Sequence, residues 1–244
     1  MTAIICYSTK MLNIMLTDRR INYGSKQELG YTDNRIKLIN LPEMGWVSGA
    51  GLADFLDSFK GSLAEKEVRS TDDVLKIYDD AVVNAKEINP SSFEQQIDQS
   101  VAVVSWFGAS TDYTEMFFRM GILSNAHYGK NIALAPSEEI FIVYPSDYLE
   151  NLELVKDLEE RHGLHDQING DIIVVLKQMF EVFKEISDNS PYVSSICDVG
   201  LFFIDQDGIY KSKISGEVHD LLRELEEGKL EQRFEIVSSF GSPC

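Results

Sequence analysis

The sequence predicts an α+β fold in which two antiparallel β-sheets pack face to face with helix pairs outside. Three observations predict it. The apolar patterning runs strands, two helices, strands, two helices, strands, without the strict strand–helix alternation of a doubly wound parallel sheet. The first strand, Thr2–Ser8, is apolar on successive residues rather than alternate ones, as an inner strand buried on both faces would be. No Pro/Gly-rich linker, charge block or internal repeat divides the 244 residues. One domain is therefore expected over 1–214, with a C-terminal helix and tail, 215–244, packed on it.

Each element has its own signal. Thr2–Ser8 and Met11–Thr17 flank the short polar break Thr9-Lys10, which predicts a hairpin. Arg35–Asn40 and Trp46–Ser48 form a second strand pair around Leu41–Gly45. Leu52, Phe55, Leu56, Phe59 and Leu63 recur at helical spacing. Ser70-Thr71-Asp72-Asp73 starts another helix, with Val74, Tyr78, Ala81, Val82 and Ala85 on its apolar face, and Pro90 ends that region. Val101–Phe107, Thr114–Phe118, Asn131–Ala135 and Ile140–Tyr144 are strands. Pro145-Ser146-Asp147 caps a helix carrying Leu149 to Leu158, and a second runs from Ile172 to Ile186. Ser195–Ile204 and Ile209–Ile214 flank the hairpin turn Asp205-Gln206-Asp207-Gly208. A helix over 215–227 and a last strand, Arg233–Val237, complete the series.

Composition narrows the function classes. Hydrophobic residues make up 44% of the chain, ample for a core, and no apolar run reaches the roughly 18–20 residues of a membrane span. The net charge of −18 argues against nucleic acid, whose phosphates need clustered Lys and Arg. The N-terminus has neither the basic nor the apolar region of a signal peptide. Cys6, Cys197 and Cys244 have no framework spacing, so a reducing cytoplasm is the expected location. Cys6 and Cys197 fall in strands as packing residues. His162 and His165 have no third ligand in view, and no metal is expected. Gly49 and Gly51 are not a dinucleotide fingerprint, since Asp54 stands where its third glycine belongs. No cofactor is expected.

The residues that carry chemistry cluster early. A threonine made terminal, as Thr2 would be by removal of Met1, can supply both a nucleophile and a base. Its hydroxyl attacks, and its own α-amine, with a pKa of roughly 7.7–8.0, takes the proton. Asp18-Arg19-Arg20 closes the second apolar run, Lys37 sits in Arg35-Ile36-Lys37-Leu38-Ile39, and Ser48-Gly49-Ala50-Gly51 follows another.

This ordered set resembles the proteasome β-subunit family, including the HslV-type peptidases, within the N-terminal-nucleophile (Ntn) hydrolases. Thr2 precedes Asp18 by sixteen positions, the family's spacing. Asp18-Arg19-Arg20 fits D-x-R, with Gly24 as the glycine that follows. Lys37 fits the family lysine, after a loop over 25–34 that is longer than usual. Gly49-Ala50-Gly51-Leu52-Ala53-Asp54 fits G-A-G-x-A-D. The resemblance is dense over residues 2–60, continues in element order to about residue 212, and then lapses. It implies a four-layer αββα sandwich and a threonine-type peptidase or amidohydrolase that cleaves peptide amides. Thr2 would be the nucleophile, Lys37 would stabilise its alkoxide, Asp18 would pair with Lys37, and the Gly51 N–H would face the developing oxyanion. Arg20 matches a structural arginine.

Two regions depart from the family pattern. Ser146 falls at the serine of a G-S-G turn, but Pro145 and Asp147 replace the glycines, and an N-cap is the plainer role for Ser146 or Asp147. Asp188, with Ser195 or Ser194, falls where the family carries D-x-x-S-G-G, again without the glycines and with an insertion. The partners implied are a peptide substrate and other copies of the chain. They would form hexameric or heptameric rings, stacked or opened into a spiral, with an ATP-dependent unfoldase left open and no nucleic acid or membrane. Two further readings stay open. One is a catalytically silent subunit used in assembly or binding, and the other is an amidase for a non-peptide substrate on the same fold.

Overall fold

A computed structural model describes residues 2–22, 30–109, 115–168 and 171–240 of the chain. Met1, Gly24, residues 25–29 of the long loop and Cys244 lie outside the described residues. The chain divides into two compact units, Met1–Leu38 with Pro136–Cys244, and Ile39–Ala135.

The first unit opens with the expected hairpin, β1 (Ile4–Ser8) and β2 (Leu12–Asp18). The Thr9 N–H donates to the Leu12 carbonyl at 2.7 Å and closes the turn. A two-residue ribbon, β3 (Ile21–Asn22) with β4 (Tyr31–Thr32), follows. No apolar alternation announces it in the sequence.

The second unit holds a five-stranded antiparallel sheet. Its strands are β5 (Ile39–Asn40), β6 (Trp46–Ala50), β7 (Val101–Ala109), β8 (Met116–Leu123) and β9 (Ala133–Leu134), in that order. Helices α1 (Ala53–Glu65) and α2 (Thr71–Ile88) follow β6, with the short α3 (Glu94–Asp98) and α4 (Asn125–Tyr128) further on. Ser70 starts α2 as expected. Its hydroxyl accepts from the Asp73 N–H, and the Asp73 carboxylate accepts from the Ser70 N–H, so two end-of-helix donors are satisfied reciprocally. The predicted apolar faces of α1 and α2 meet: Tyr78 packs edge-on against Phe55 and Phe59, with ring centres 5.6 and 5.1 Å apart.

The chain then returns to the first unit with β10 (Ile140–Val143), β11 (Ile196–Asp205), β12 (Gly208–Glu217) and β13 (Glu235–Phe240). The six-stranded sheet runs β10-β1-β2-β11-β12-β13, and every neighbouring pair is antiparallel. The single helix expected from 146 onward is two, α5 (Ser146–Leu149) and α6 (Leu152–His162), because the Asn151 side chain accepts from the Leu154 N–H and restarts the helix. Next come α7 (Ile172–Asn189) and, after β12, α8 (Val218–Glu226). Ile5, Tyr7, Ile14, Leu16, Val199 and Leu201 join Val175, Met179, Phe180 and Phe183 of α7 in one core. Ile4, Cys6, Met15 and Phe202, on the other face of the sheet, are buried as well. Thus β1 is covered on both sides, which is why its sequence does not alternate. Among the described residues, no helix is long and apolar enough to cross a membrane.

Candidate active site

Strand register builds the site. The β1–β2 ladder pairs Ile4 with Thr17, and one step further the Asp18 N–H donates to the Ala3 carbonyl at 3.4 Å. The Ala3 N–H donates to Asp18 Oδ1 at 3.2 Å, so the residue after Thr2 is tied to the carboxylate that ends β2. Lys37 reaches the same point. Its Nζ donates to Thr2 Oγ1 at 2.8 Å and to the two Asp18 oxygens at 2.9 and 3.0 Å. The expected strand Arg35–Asn40 is correspondingly short, with strand geometry only at Ile39–Asn40.

The electrostatics of this cluster are those of a buried pair. The Asp18 side chain is fully buried and that of Lys37 is 7% exposed. Burial pushes the Asp18 carboxyl above its ordinary value, while the Lys37 charge and the hydrogen bonds from Lys37 and the Arg20 N–H pull it back. Three N–H donor groups converge on its two oxygens, from Lys37, Ala3 and Arg20, an arrangement that suits an ionised carboxylate. A lysine held by such a carboxylate keeps its proton directed at the threonine hydroxyl. That is the field an alkoxide needs.

Arg20 holds the segment that delivers Lys37. Its guanidinium makes a two-pronged bond to Asp33, 2.8 Å on each prong, donates to the Pro191 carbonyl at 2.9 Å, and lies over the Tyr31 ring at 3.8 Å. Asp33 and Tyr31 both precede Lys37 in the same stretch of chain.

The remaining candidates separate. Ser146 opens α5 just past the register Ile4–Val143, at the end of the sheet where Thr2 lies. Pro145 stands at the N-cap of α5 and makes no side-chain cap bond, and the Ser146 carbonyl accepts from the Glu150 N–H at 2.9 Å. Asp188 sits on the exposed end of α7, paired with Lys184 at 2.8 Å and facing His219 at 3.7 Å. It is not among the groups that bond Thr2, Asp18 or Lys37. Ser195 uses its carbonyl, which accepts from the Val218 N–H at 2.9 Å. The serine that reaches the β2 end is Ser194, whose buried hydroxyl accepts from the Arg19 N–H at 3.2 Å. Gly51 belongs to the second unit. Its φ is +135°, and a Cβ there would meet the Ser100 hydroxyl oxygen at 2.2 Å, so only glycine fits between β6 and α1. Sequence reasoning passed over Asp198, a buried acid in the apolar run Ile196–Leu201. A carboxylate in such a run has to be paired, and that was the available signal. Among the described residues, no group of three or more His, Cys, Asp or Glu side chains is placed to hold a metal ion.

Comparison with solved structures gives the kind of fold. The chain is similar to Anbu (ancestral beta-subunit) from Yersinia bercovieri, at 13% identity and a TM-score of 0.62, over 95% of this chain and 94% of that one. Anbu from Hyphomicrobium sp. strain MC1 matches at 13% identity and a TM-score of 0.60, over 94% of each chain. An Anbu (Gly-1) mutant from the same organism matches at 13% identity and a TM-score of 0.58, over 95% of this chain and 97% of that one. The fold is proteasome-like. It is α+β with two antiparallel sheets and helices, as the element order predicts. No family model matches the sequence, and no curated protein matches it. These findings correct the family expected from the motifs. The set Thr2, Asp18, Lys37 and Gly51 pointed to the proteasome β-subunit and HslV-type family, whereas the solved neighbours are Anbu, an ancestral β-subunit. The motif set is dense only near the N-terminus, and the glycines missing around Ser146 and after Asp188 mark where the chain departs from that pattern.

Proposed function

We propose that the chain is an N-terminal-threonine hydrolase that cleaves amide bonds, with peptides as substrate, once Met1 is removed and Thr2 becomes terminal. One observation carries the reading: Lys37 Nζ lies 2.8 Å from Thr2 Oγ1 while Asp18 holds the same ammonium at 2.9 Å. Thr2 Oγ1 attacks the amide carbonyl carbon, and its proton passes to the Thr2 α-amine. Lys37 steadies the developing alkoxide. The C–N bond breaks, the amine product leaves with the proton, and water then hydrolyses the ester on Thr2.

A β-lactone tests this directly. Attack by Thr2 opens the ring without a leaving group, so the N-terminal peptide gains the full mass of the probe. Protein whose first residue is Thr2, verified by intact mass, takes one label there, and Thr2→Ala takes none. Label that persists in Thr2→Ala rejects the reading. A catalytically silent subunit is the second reading. It is favoured by Asp188, which pairs with Lys184 at the surface. Failure of terminal Thr2 to react would select it.

A further inference from the structure

The active-site reading uses Asp18 and Lys37 and leaves unexplained a second charged cluster one residue away. Arg19 Nε donates to Asp198 Oδ2 at 2.9 Å, and its Nη2 reaches Asp198 Oδ1 at 2.5 Å. The Ser215 hydroxyl donates to the same Oδ1 at 2.5 Å. The Asp198 side chain is 7% exposed and that of Arg19 23%. A two-pronged Arg–carboxylate pair that buried fixes direction as well as charge.

The main chain of Arg19 is held too. The β2–β11 ladder ends at Asp18–Cys197. Beyond it the Ser194 hydroxyl takes the place of a strand partner, accepting from the Arg19 N–H at 3.2 Å while donating to the Ile196 carbonyl at 2.8 Å. The Arg19 carbonyl accepts from the Arg35 N–H at 3.3 Å. Arg19 is thus tied at its N–H, its carbonyl and its guanidinium. On its far side, the Arg20 N–H donates to Asp18 Oδ2 at 2.7 Å. Where that N–H points depends on the peptide planes on either side of Arg19.

Resting on the threonine-hydrolase reading, we infer that Arg19, Asp198 and Ser194 are positioning residues. They lock the 18–20 backbone so that Asp18 presents both oxygens to Lys37, and Lys37 presents its proton to Thr2. Asp198 and Ser194 act from β11 and the turn before it, so this strand takes over, by a different route, part of the ordering that Asp188 does not supply. The cluster acts through the backbone beside Asp18, and its own bonds run to Arg19, Ile196 and Ser215 rather than to Thr2 Oγ1. Its effect lies in the rate of the chemical step rather than in binding.

The experiment measures β-lactone acylation of Thr2-terminal protein as a rate against probe concentration, between pH 5 and 9. Asp198→Asn, Arg19→Met and Ser194→Ala are each expected to lower the maximal acylation rate at least tenfold. Half-saturation should stay unchanged and the acid limb of the pH profile should move, because the ionisation of Asp18 is coupled to the geometry of Lys37. Arg19→Lys keeps the charge but not the fork and is expected to recover only part of the rate. Arg161→Met serves as the control. It removes an equally two-pronged pair, with Glu185, on the α6–α7 surface, and should leave rate and profile alone. If one of the three variants fails to fold, the other two decide. An unchanged rate and profile in them, while Thr2→Ala abolishes labelling, overturns the positioning role and leaves the nucleophile intact. Label that survives Thr2→Ala overturns the underlying reading instead.

Discussion

Replacing Lys37 with methionine separates the pairing with Asp18 from the role that the proposed function gives its ammonium at Thr2. The side chain keeps its approximate volume and loses the charge that contacts Thr2 at 2.8 Å and Asp18 at 2.9 and 3.0 Å. For the reaction, the loss resembles that of an oxyanion donor, about 2.7–4 kcal/mol or 10²- to 10³-fold in rate. For stability, Asp18 is left fully buried with two backbone N–H groups as its remaining named donors. Breaking a buried pair costs about 3–5 kcal/mol. The carboxyl escapes part of that by taking a proton, which at pH 7 costs about 4 kcal/mol for a group of ordinary pKa near 3.9. At pH 5 the same protonation costs only about 1.5 kcal/mol. The sign follows. With its strongest opposing charge gone, burial raises the folded-state pKa of Asp18 further above its unfolded value. The folded variant then binds a proton that the unfolded chain does not, and its stability falls as pH rises between the two values. Urea unfolding at pH 7.5 and 5.0 reads the result: a deficit of about 3–4 kcal/mol at the higher pH that shrinks by at least half at the lower. β-Lactone labelling, run in parallel, falls 10²-fold or more. A deficit that does not change with pH, or labelling close to that of the parent protein, refutes the reasoning.

Two further outcomes are expected. Gly51→Ala places a Cβ 2.2 Å from the Ser100 hydroxyl oxygen and 2.8 Å from its Cα at a φ of +135°, and should destabilise the chain by roughly 2–4 kcal/mol in urea titration; Ser100→Gly in the same chain should recover only part of that loss, because the backbone contact and the strain stay. Light scattering at micromolar concentration and physiological salt should find an oligomer of this chain, since closed assemblies are the usual way to bury apolar faces such as Leu149, Leu152 and Val174; a monomer would argue against a chambered peptidase.

Much of this architecture is legible before any coordinates. β1 declares its two-sided burial by being apolar at every step, and Ser70 declares the start of α2 because a hydroxyl and an acid three residues apart answer each other. What stays hidden has physical causes. The ribbon β3–β4 is two residues a side and holds Arg20, Tyr31 and Asp33 together by charge and ring contact rather than by an apolar pattern. The break between α5 and α6 rests on the single side chain of Asn151, inside a stretch whose leucines keep helical spacing across it. In the site, the spacing of Thr2, Asp18 and Lys37 could be read because these residues flank strands whose register the sequence fixes by its apolar runs. The choice between Ser194 and Ser195, and the displacement of Asp188 to the surface, could not. They turn on how the chain leaves α7, where two glycines of the expected pattern are absent.

The neighbours of β1 in the sheet have a consequence for biosynthesis. The strand that begins at Ile4 lies between β2 and β10, and β2 in turn borders β11, so the hairpin of residues 4–18 is flanked by residues 140–143 and 196–205, made much later. Closing a loop from Asp18 to Cys197 needs most of the chain to have left the ribosome, and contacts so distant in sequence form slowly. Until then the first hairpin has unpaired edges and is only marginally stable alone. Lys37 has no settled partner geometry in that interval, and neither does the threonine hydroxyl. On the proposed hydrolase reading, the Thr2 hydroxyl would therefore be among the last groups to be ordered as the chain folds, a sequence of events written into which strands lie side by side.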